Sequence, residues 1–170
     1  MAKRVSLREF QEGLVRRLAD ARSAPRRDLL GLNAGNGHWL VDLADAGEIL
    51  PVPPLATVPL TRNWFRGLAN VRGTLYGVVD LSAFCGGPQT PVGGAARLVL
   101  IGQRHGANCG LLVSAASGLR SPDDFDVEVN DTTEHEWISR AMRDTHGRRW
   151  QHIDVLQLIG HPEFLEASAA

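Results

Sequence analysis

The sequence has few cysteines, no long apolar run and no excess of one charge. Only two of its 170 residues are cysteine, and these do not form a C-x-x-C pair, so a disulfide scaffold is excluded. The formal net charge of -1 argues against a dedicated nucleic-acid-binding protein. No apolar run approaches the ~18 residues that span a bilayer, and the first residues lack the apolar core of a signal peptide. We expect a cytoplasmic protein with reduced thiols and no direct membrane insertion.

Recognisable catalytic patterns are also missing. There is no H-E-x-x-H pair, no phosphate-binding glycine loop and no G-x-S-x-G elbow. Cys85 has no signature of an activating base nearby, so a small buried thiol is the preferred interpretation. The histidines are scattered along the chain, at His38, His105, His135, His146, His152 and His161. The sequence predicts no catalytic residue, no metal site and no cofactor, and therefore not an enzyme.

One acidic stretch invites a calcium hypothesis. It comprises Asp123, Asp124, Asp126, Glu128 and Asp131. The mid-loop glycine and the twelfth-position glutamate of an EF-hand are absent. A solvated acidic loop is the preferred interpretation.

The first 27 residues predict a basic, helical extension. Apolar residues recur at three- and four-residue steps over residues 6–22, which places them on one helix face: Leu7, Phe10, Leu14, Leu18 and Ala21. Residues 1–27 hold eight basic and three acidic side chains, a local charge of +5, which leaves -6 for the remainder. The apolar face could simply cover the main domain, and a weak attraction to an acidic partner or surface stays open.

After residue 28 short strands dominate, so the fold class is mainly β. A hairpin turn is expected at residues 35–37, and two strands are expected on either side of Gly73. The Gly- and Pro-rich segment 86–95 is the best internal boundary. Two strand-rich halves, about 28–86 and about 95–155, suggest two small barrels side by side, followed by a closing helix to about residue 165.

Residues 67–86, GLANVRGTLYGVVDLSAFCG, carry a family signature. The pattern is glycine, apolar residues, Asn-apolar-Arg-Gly, and then an apolar strand that ends in Asp-Leu. It is formed by Gly67, Asn70, Val71, Arg72, Gly73, Val78, Val79, Asp80 and Leu81. This stretch resembles the CheW-like adaptor family of bacterial chemotaxis, and the resemblance covers roughly residues 28–160. The wording GLANVRG and the extra N-terminal helix are closest to PilI-type adaptors of type IV pilus, or twitching motility, systems.

The resemblance implies a fold, a role and partners. The fold would be two SH3-like β-barrels packed side by side. The role would be a non-catalytic adaptor between methyl-accepting chemoreceptors and a CheA-type histidine kinase. One barrel would meet the kinase regulatory domain, and a groove beside it would take the helical cytoplasmic tip of the receptor. The protein would thus be recruited to membrane-bound receptor arrays.

Seven residues are expected to contact partners or to shape the contact surface: Glu48, Trp64, Phe65, Asn70, Arg72, Gly73 and Val113. Gly73 is expected to permit a sharp turn, and Arg72 beside it to form a bidentate pair with Glu48. That pair would either orient the receptor-facing groove or only tie the loop to the barrel. Asn70 is expected to be buried. Trp64 and Phe65 are either exposed anchors or core residues.

Asp80 is expected to serve structure rather than a partner. It precedes Leu81–Phe84, where an aspartate is a good N-cap for a helical turn. The competing hypothesis for the whole chain is a small-ligand-binding or enzymatic two-barrel protein with a site between the lobes. It would gain support if Cys85, His152 and Asp154 met in one cleft.

Overall fold

The computed structural model describes residues 28–128 and 134–169. The predicted helix over residues 6–22, and the whole extension 1–27, lie outside the described residues. The twelve strands are β1 Leu29–Ala34, β2 Gly37–Asp42, β3 Ala46–Pro51, β4 Leu55–Ala56, β5 Phe65–Val71, β6 Thr74–Asp80, β7 Arg97–Ile101, β8 Cys109–Val113, β9 Ala115–Arg120, β10 Phe125–Val127, β11 Ile138–Asp144 and β12 Arg149–Ile153. The short helices are α1 Leu81–Phe84, α2 Val155–Gly160 and α3 Pro162–Leu165. The mainly β fold predicted from the sequence is confirmed.

The strands form two six-stranded sheets. The middle sheet has the order β3-β7-β8-β6-β5-β4 and uses one continuous segment, residues 46–113. The terminal sheet has the order β10-β11-β12-β2-β1-β9 and combines residues 29–42 with residues 115–153. The predicted division into halves at 28–86 and 95–155 is therefore wrong. The chain changes sheet after β2 and after β8, and not at the Gly- and Pro-rich segment.

The two sheets share one pairing pattern. In the middle sheet, β6 pairs in parallel with β8, and every other pairing is antiparallel. In the terminal sheet, β12 pairs in parallel with β2, and every other pairing is antiparallel. Strand by strand, β3, β4, β5, β6, β7 and β8 correspond to β9, β10, β11, β12, β1 and β2. We call residues 46–113 the middle unit, and the terminal sheet with its helices the terminal unit.

In each unit a central strand is followed directly by a short helix with an aspartate at its N-cap. Asp80 ends β6 and accepts a hydrogen bond from the Ala83 backbone N–H at 3.3 Å. Asp154 follows β12 and accepts one from the Gln157 backbone N–H at 3.1 Å. The side chain of an aspartate N-cap satisfies a backbone donor that the first helical turn leaves unpaired. The predicted capping role of Asp80 is confirmed.

Successive residues of the central strands are buried in different hydrophobic cores, one of which is shared by the two units. Along β6 and β8, Val79 and Leu111 face a core shared by both sheets, while Val78 and Leu112 face a smaller core of the middle unit. The terminal unit has its own small core around Trp150. Successive side chains of a strand point to opposite faces, so these consecutive positions are all apolar because both faces are covered.

Candidate partner-binding surface

A two-residue turn joins β5 to β6 and displays the signature arginine. Arg72 and Gly73 both have positive φ angles, 52° and 85°. Positive φ at both central residues matches the twist of a β-hairpin, as in a type I′ turn. The Asn70 side-chain Oδ1 accepts a hydrogen bond from the Gly73 N–H at 2.9 Å. Asn70 is exposed and not buried as predicted, but it does satisfy a backbone group.

The hairpin reaches across to the opposite edge of its sheet. Arg72 Nη2 donates to Glu48 Oε1 at 2.7 Å, which confirms that the two side chains are close; it is a single contact, where a bidentate pair was expected. Glu48 lies on β3, three places from β6 in the sheet order. This contact requires the middle sheet to curl. A depression of about 270 Å³ lies between the two elements and includes Tyr76 and Gln103 in its lining.

The position of Arg72 is costly for a residue with a Cβ. A left-handed conformation costs an L-residue roughly 1–2 kcal/mol. Its side chain is 78% exposed, so the ion pair with Glu48 is worth only about 0–1 kcal/mol. Leu75, two residues after Gly73, is 56% exposed. We call Glu48, Asn70, Arg72, Gly73 and Leu75 the hairpin surface, which offers a charged group beside an apolar one.

Asp80 lies inside the middle unit and is fully satisfied there. Its side chain is completely buried and accepts hydrogen bonds from Arg66 at 2.8 Å and from the Thr90 N–H at 2.6 Å and hydroxyl at 2.8 Å. Arg66 is the residue at an irregularity of β5, between positions paired with Val79 and Val78. Sequence reasoning missed Arg66, because hydrophobic alternation does not show where a strand will be irregular. This group is structural.

Two of the predicted contact residues belong to the core. Trp64 is 7% exposed and packs edge-on to Phe84 and nearly parallel to Phe164. Val113 is fully buried in the shared core. Neither offers its side chain to a partner, so their prediction as contact residues is corrected. Phe65 is half-buried against Trp64 and keeps part of its ring accessible.

A polar cleft of about 380 Å³ lies between the two units. Its lining residues are Asp42, Asp45, Arg104, His105, Ser139, His152, Asp154 and Leu156. Asp45 is bonded to the Arg104 guanidinium and to His105 Nε2, the latter at 2.7 Å. Burial lowers the pKa of His152 despite the nearby Asp42 carboxylate. His152 and Asp154 thus meet in one cleft.

The third residue of the ligand-site hypothesis is missing from that cleft. Cys85 does not line it and packs against the shared core. Burial, with help from Glu134 and Asp80, raises the pKa of the Cys85 thiol to about 12. Burial raises the pKa of Cys109 to about 11. Both thiols are protonated at neutral pH and are poor nucleophiles.

The acidic stretch is more ordered than a solvated loop. Within its described part, Ser121 and Asp124 form a capping box and β10 follows. Glu128 then pairs with Arg143 at 2.6 Å and with Arg149 at 3.2 Å. Over residues 28–128 and 134–169, no three His, Cys, Asp or Glu side chains are grouped as a metal would need. In the same ranges no helix has the length and apolarity to cross a membrane.

Comparison with known proteins agrees with this geometry. Protein PilI of Pseudomonas aeruginosa is 30% identical over 91 residues, which are 54% of this chain and 51% of PilI. The alignment thus spans about half of each protein. The crystal structure of the scaffolding protein TtCheW from Thermoanaerobacter tengcongensis superposes with a TM-score of 0.63 at 18% identity, over 76% of this chain and 88% of that one. A family model, described as the CheW-like domain, matches residues 28–163, and the chain belongs to this family.

Proposed function

We propose that this protein is a non-catalytic adaptor that couples methyl-accepting chemoreceptors to a CheA-type histidine kinase. The observation that carries the proposal is the CheW-like match over residues 28–163, nearly all of the described chain. The similarity to PilI supports a role in controlling type IV pilus twitching motility. An adaptor of this kind would be recruited to receptor arrays through its partners.

The hairpin surface is the proposed contact with a partner. It is exposed, it combines a cation with an apolar side chain, and it holds Arg72 in a strained backbone conformation. Strained residues persist where the surroundings enforce them, and they concentrate at functional positions. The ion pair with Glu48 orients the guanidinium and leaves most of it open to a partner.

The competing ligand-site hypothesis has weaker support. The cleft between the units brings polar groups together, but Cys85 is outside it. We therefore place no reaction there.

A binding titration tests the adaptor proposal. The full chain is titrated with the regulatory domain of the CheA-type kinase from the same cell, and separately with the receptor tip. We expect saturable binding in the micromolar range, about -8 kcal/mol, to at least one of them. The proposal fails if neither partner binds.

The two units supply a matched control for the surface. Arg148 lies in the β11–β12 hairpin, which corresponds to the β5–β6 hairpin, and pairs with Asp144 at 2.8 Å. Arg72→Ala is expected to weaken binding about tenfold, a typical loss for a contact arginine, and Arg148→Ala to leave it unchanged. Equal effects of the two variants would move the contact away from the hairpin surface.

The pathway is tested separately in the organism that carries the chain. Deletion of the gene is expected to abolish twitching while pili are still assembled. Complementation with the Arg148→Ala variant should restore twitching, and complementation with Arg72→Ala should not. Normal twitching in the deletion strain would exclude the pilus pathway. It would not affect the adaptor proposal, which the binding titration tests.

A further inference from the structure

Comparison of the two units shows that the terminal unit lacks the arginine that the middle unit has at the corresponding position. In the middle unit, Arg66 sits at the irregularity of β5 and pairs with Asp80 at 2.8 Å. In the terminal unit, β11 has its irregularity between Ile138 and Arg140, so the corresponding residue is Ser139. Asp154 corresponds to Asp80. The terminal unit thus keeps the carboxylate and replaces the arginine by a serine.

The cleft between the units opens where that arginine would lie. Ser139 and Asp154 both line it, and Ser139 Oγ instead contacts His152 Nδ1 at 2.6 Å. Within residues 28–128 and 134–169, the carboxylate of Asp154 accepts hydrogen bonds from Gln157 alone, through its backbone N–H at 3.1 Å and its amide at 3.3 Å. Among the described residues no lysine or arginine pairs with Asp154. The volume of about 380 Å³ has ample room for a guanidinium.

The carboxylate of Asp42, also at the cleft, likewise has no lysine or arginine partner in the part of the chain that the structure describes. Asp42 is 49% exposed and contacts His152 Nε2 at 3.2 Å. Because burial lowers the pKa of His152, this histidine is neutral at neutral pH. Arg140 lies opposite His152 on the neighbouring strand, but within the described chain it forms no ion pair with Asp42 or Asp154. Arg104 is engaged by Asp45.

The basic N-terminal segment is attached at the edge of this cleft. Leu29 is paired with Asp42 across β1 and β2, and the Asp28 carbonyl accepts from the Leu43 N–H at 2.7 Å. Arg27 and Arg26 come two and three residues before Leu29, at most about 7 and 11 Å of extended chain. Short tethers give a high effective concentration, so even a weak site is filled.

We propose that the cleft binds an arginine side chain of this chain's own N-terminal segment, Arg26 or Arg27, in the place that Arg66 takes in the middle unit. The guanidinium would lie between Asp154 and Asp42. The aliphatic part of the side chain would cover Leu156, which is 65% exposed at the rim. Docking would hold the last residues of the N-terminal segment, next to β1, against the gap between the two units.

The test is a double-mutant cycle in the full-length protein. The double substitution Arg26→Gln/Arg27→Gln is combined with Asp154→Asn, which keeps an N-cap side chain, and stability is measured by urea unfolding. In the wild-type background, loss of the arginines is expected to lower the folded-to-unfolded ratio about tenfold, as for a charge-assisted hydrogen bond. In the Asp154→Asn background the same change should have almost no effect.

A second variant places an arginine at the position in the terminal unit that corresponds to Arg66. Ser139→Arg should fill the cleft as Arg66 does in the middle unit and make stability insensitive to Arg26→Gln/Arg27→Gln. Ser139→Gln, which adds a long polar side chain without charge, is the control and should leave the sensitivity intact. Additive effects in both cycles would overturn the proposal. So would coupling that disappears on dilution, because the arginine would then come from a second copy.

Discussion

At the scale of single residues, Arg72 combines a strained backbone with an exposed side chain. Glycine would occupy its position, with φ of 52°, at no steric cost. The ion pair to Glu48 is too exposed to offset that strain by itself. The residue is therefore better explained by what its guanidinium contacts than by what it contributes to folding.

The first prediction separates these two contributions. Arg72→Gly should be more stable than Arg72→Ala by about 1 kcal/mol in urea unfolding, because only glycine relieves the left-handed strain. Both variants should bind the partner equally weakly. At Arg148, whose φ is not positive, the order should reverse, with glycine less stable than alanine. If Arg72→Gly were the less stable variant, the positive φ at position 72 would not cost the folded state free energy.

The sequence predicted the Glu48–Arg72 pair but not whether the neighbouring aromatic residues, Trp64 and Phe65, are buried or exposed. The glycine after Arg72 predicts a tight turn that exposes the guanidinium, and Glu48 is the carboxylate expected to pair with it. Trp64 precedes a strand irregularity at Arg66, which shifts the faces of β5 and cannot be read from alternation. Its burial against α1 and α3 depends on contacts with residues 84 and 164, far away in sequence.

At the scale of elements, the pairing of β4 with β5 depends on one glycine. Gly67 has φ of 110°, and a Cβ there would lie 2.2 Å from the Ala56 carbonyl oxygen. That distance is far below van der Waals contact, and the neighbouring atom belongs to the backbone and cannot rotate away. The edge of the middle sheet therefore tolerates no side chain at this position.

Substitution of Gly67 gives the second prediction. Gly67→Ala should lower the free energy of unfolding by about 2 kcal/mol more than Gly93→Ala, because the first adds a clash to the strain. Gly93 is a matched control, with φ of 119° and nothing within 4 Å of the added Cβ. Urea unfolding measures the difference. Equal losses would show that β4 can move away from β5 freely.

The β11–β12 hairpin gives a pH-dependent prediction. Partial burial tends to raise the pKa of Asp144, but hydrogen bonds from the Arg148 and His146 backbones, the Trp150 indole and the Arg148 guanidinium hold it well below its usual range. A carboxyl with a depressed folded-state pKa stabilises the fold fully above its unfolded pKa of about 3.9. As the pH falls from about 5, the unfolded chain binds the proton first, and stability is lost.

The measurement is urea unfolding between pH 6 and pH 3. Asp144→Asn should have a flatter stability profile over this interval than the wild type. Asp123→Asn, at an exposed position with no side-chain hydrogen bond among the described contacts, should keep the wild-type profile. A wild-type slope in Asp144→Asn would contradict the assignment.

Element by element, the sequence predicted strands with strong apolar alternation and missed polar ones. The sequence predicts strands at β1, β2, β5 to β8 and β12, and a break in the closing helix, where His161 separates α2 from α3. The sequence assigns most of β9 and all of β10 to a polar, acidic loop and predicts no strand at β11, because these segments carry serine, arginine and aspartate. These strands form by pairing with neighbours, such as β9 with β1, and local sequence does not record such partners.

At the scale of the whole molecule, the two units share one hydrophobic core. The shared core takes Leu30 and Val41 from the terminal sheet and Val99 and Leu111 from the middle sheet. The chain also crosses between the sheets at Ser114, whose N–H and hydroxyl both donate to the Asn33 carbonyl, at 2.9 and 2.8 Å. Neither unit buries its apolar face alone.

Unfolding should therefore be a single transition. Leu111→Ala is expected to lower the free energy of unfolding by about 3 kcal/mol, as for a fully buried leucine. Tryptophan fluorescence and far-UV circular dichroism should shift together by the same amount. Two separated transitions in the variant would mean that the units fold independently.

The predicted division into halves failed because a sheet is defined by pairing and not by chain order. The expected boundary at 86–95 lies inside the middle unit, between α1 and β7. The first hairpin, β1–β2, pairs with β12 and β9 near the other end of the chain. No local composition signal could reveal that contact.

This pairing has a consequence for how such a chain could arise. In chain order the middle unit reads β3 to β6, α1, β7 and β8, and the terminal unit reads β9 to β12 and α2, with its last hairpin supplied from the beginning of the chain. Joining the two ends and opening the chain at residues 43–45 would give a chain in which the middle unit is followed by a complete terminal unit, each formed from one continuous segment. The order of elements is thus that of two similar units in tandem, with the start of the chain displaced by one hairpin. A permuted chain that begins at residue 46 should regain the same fold.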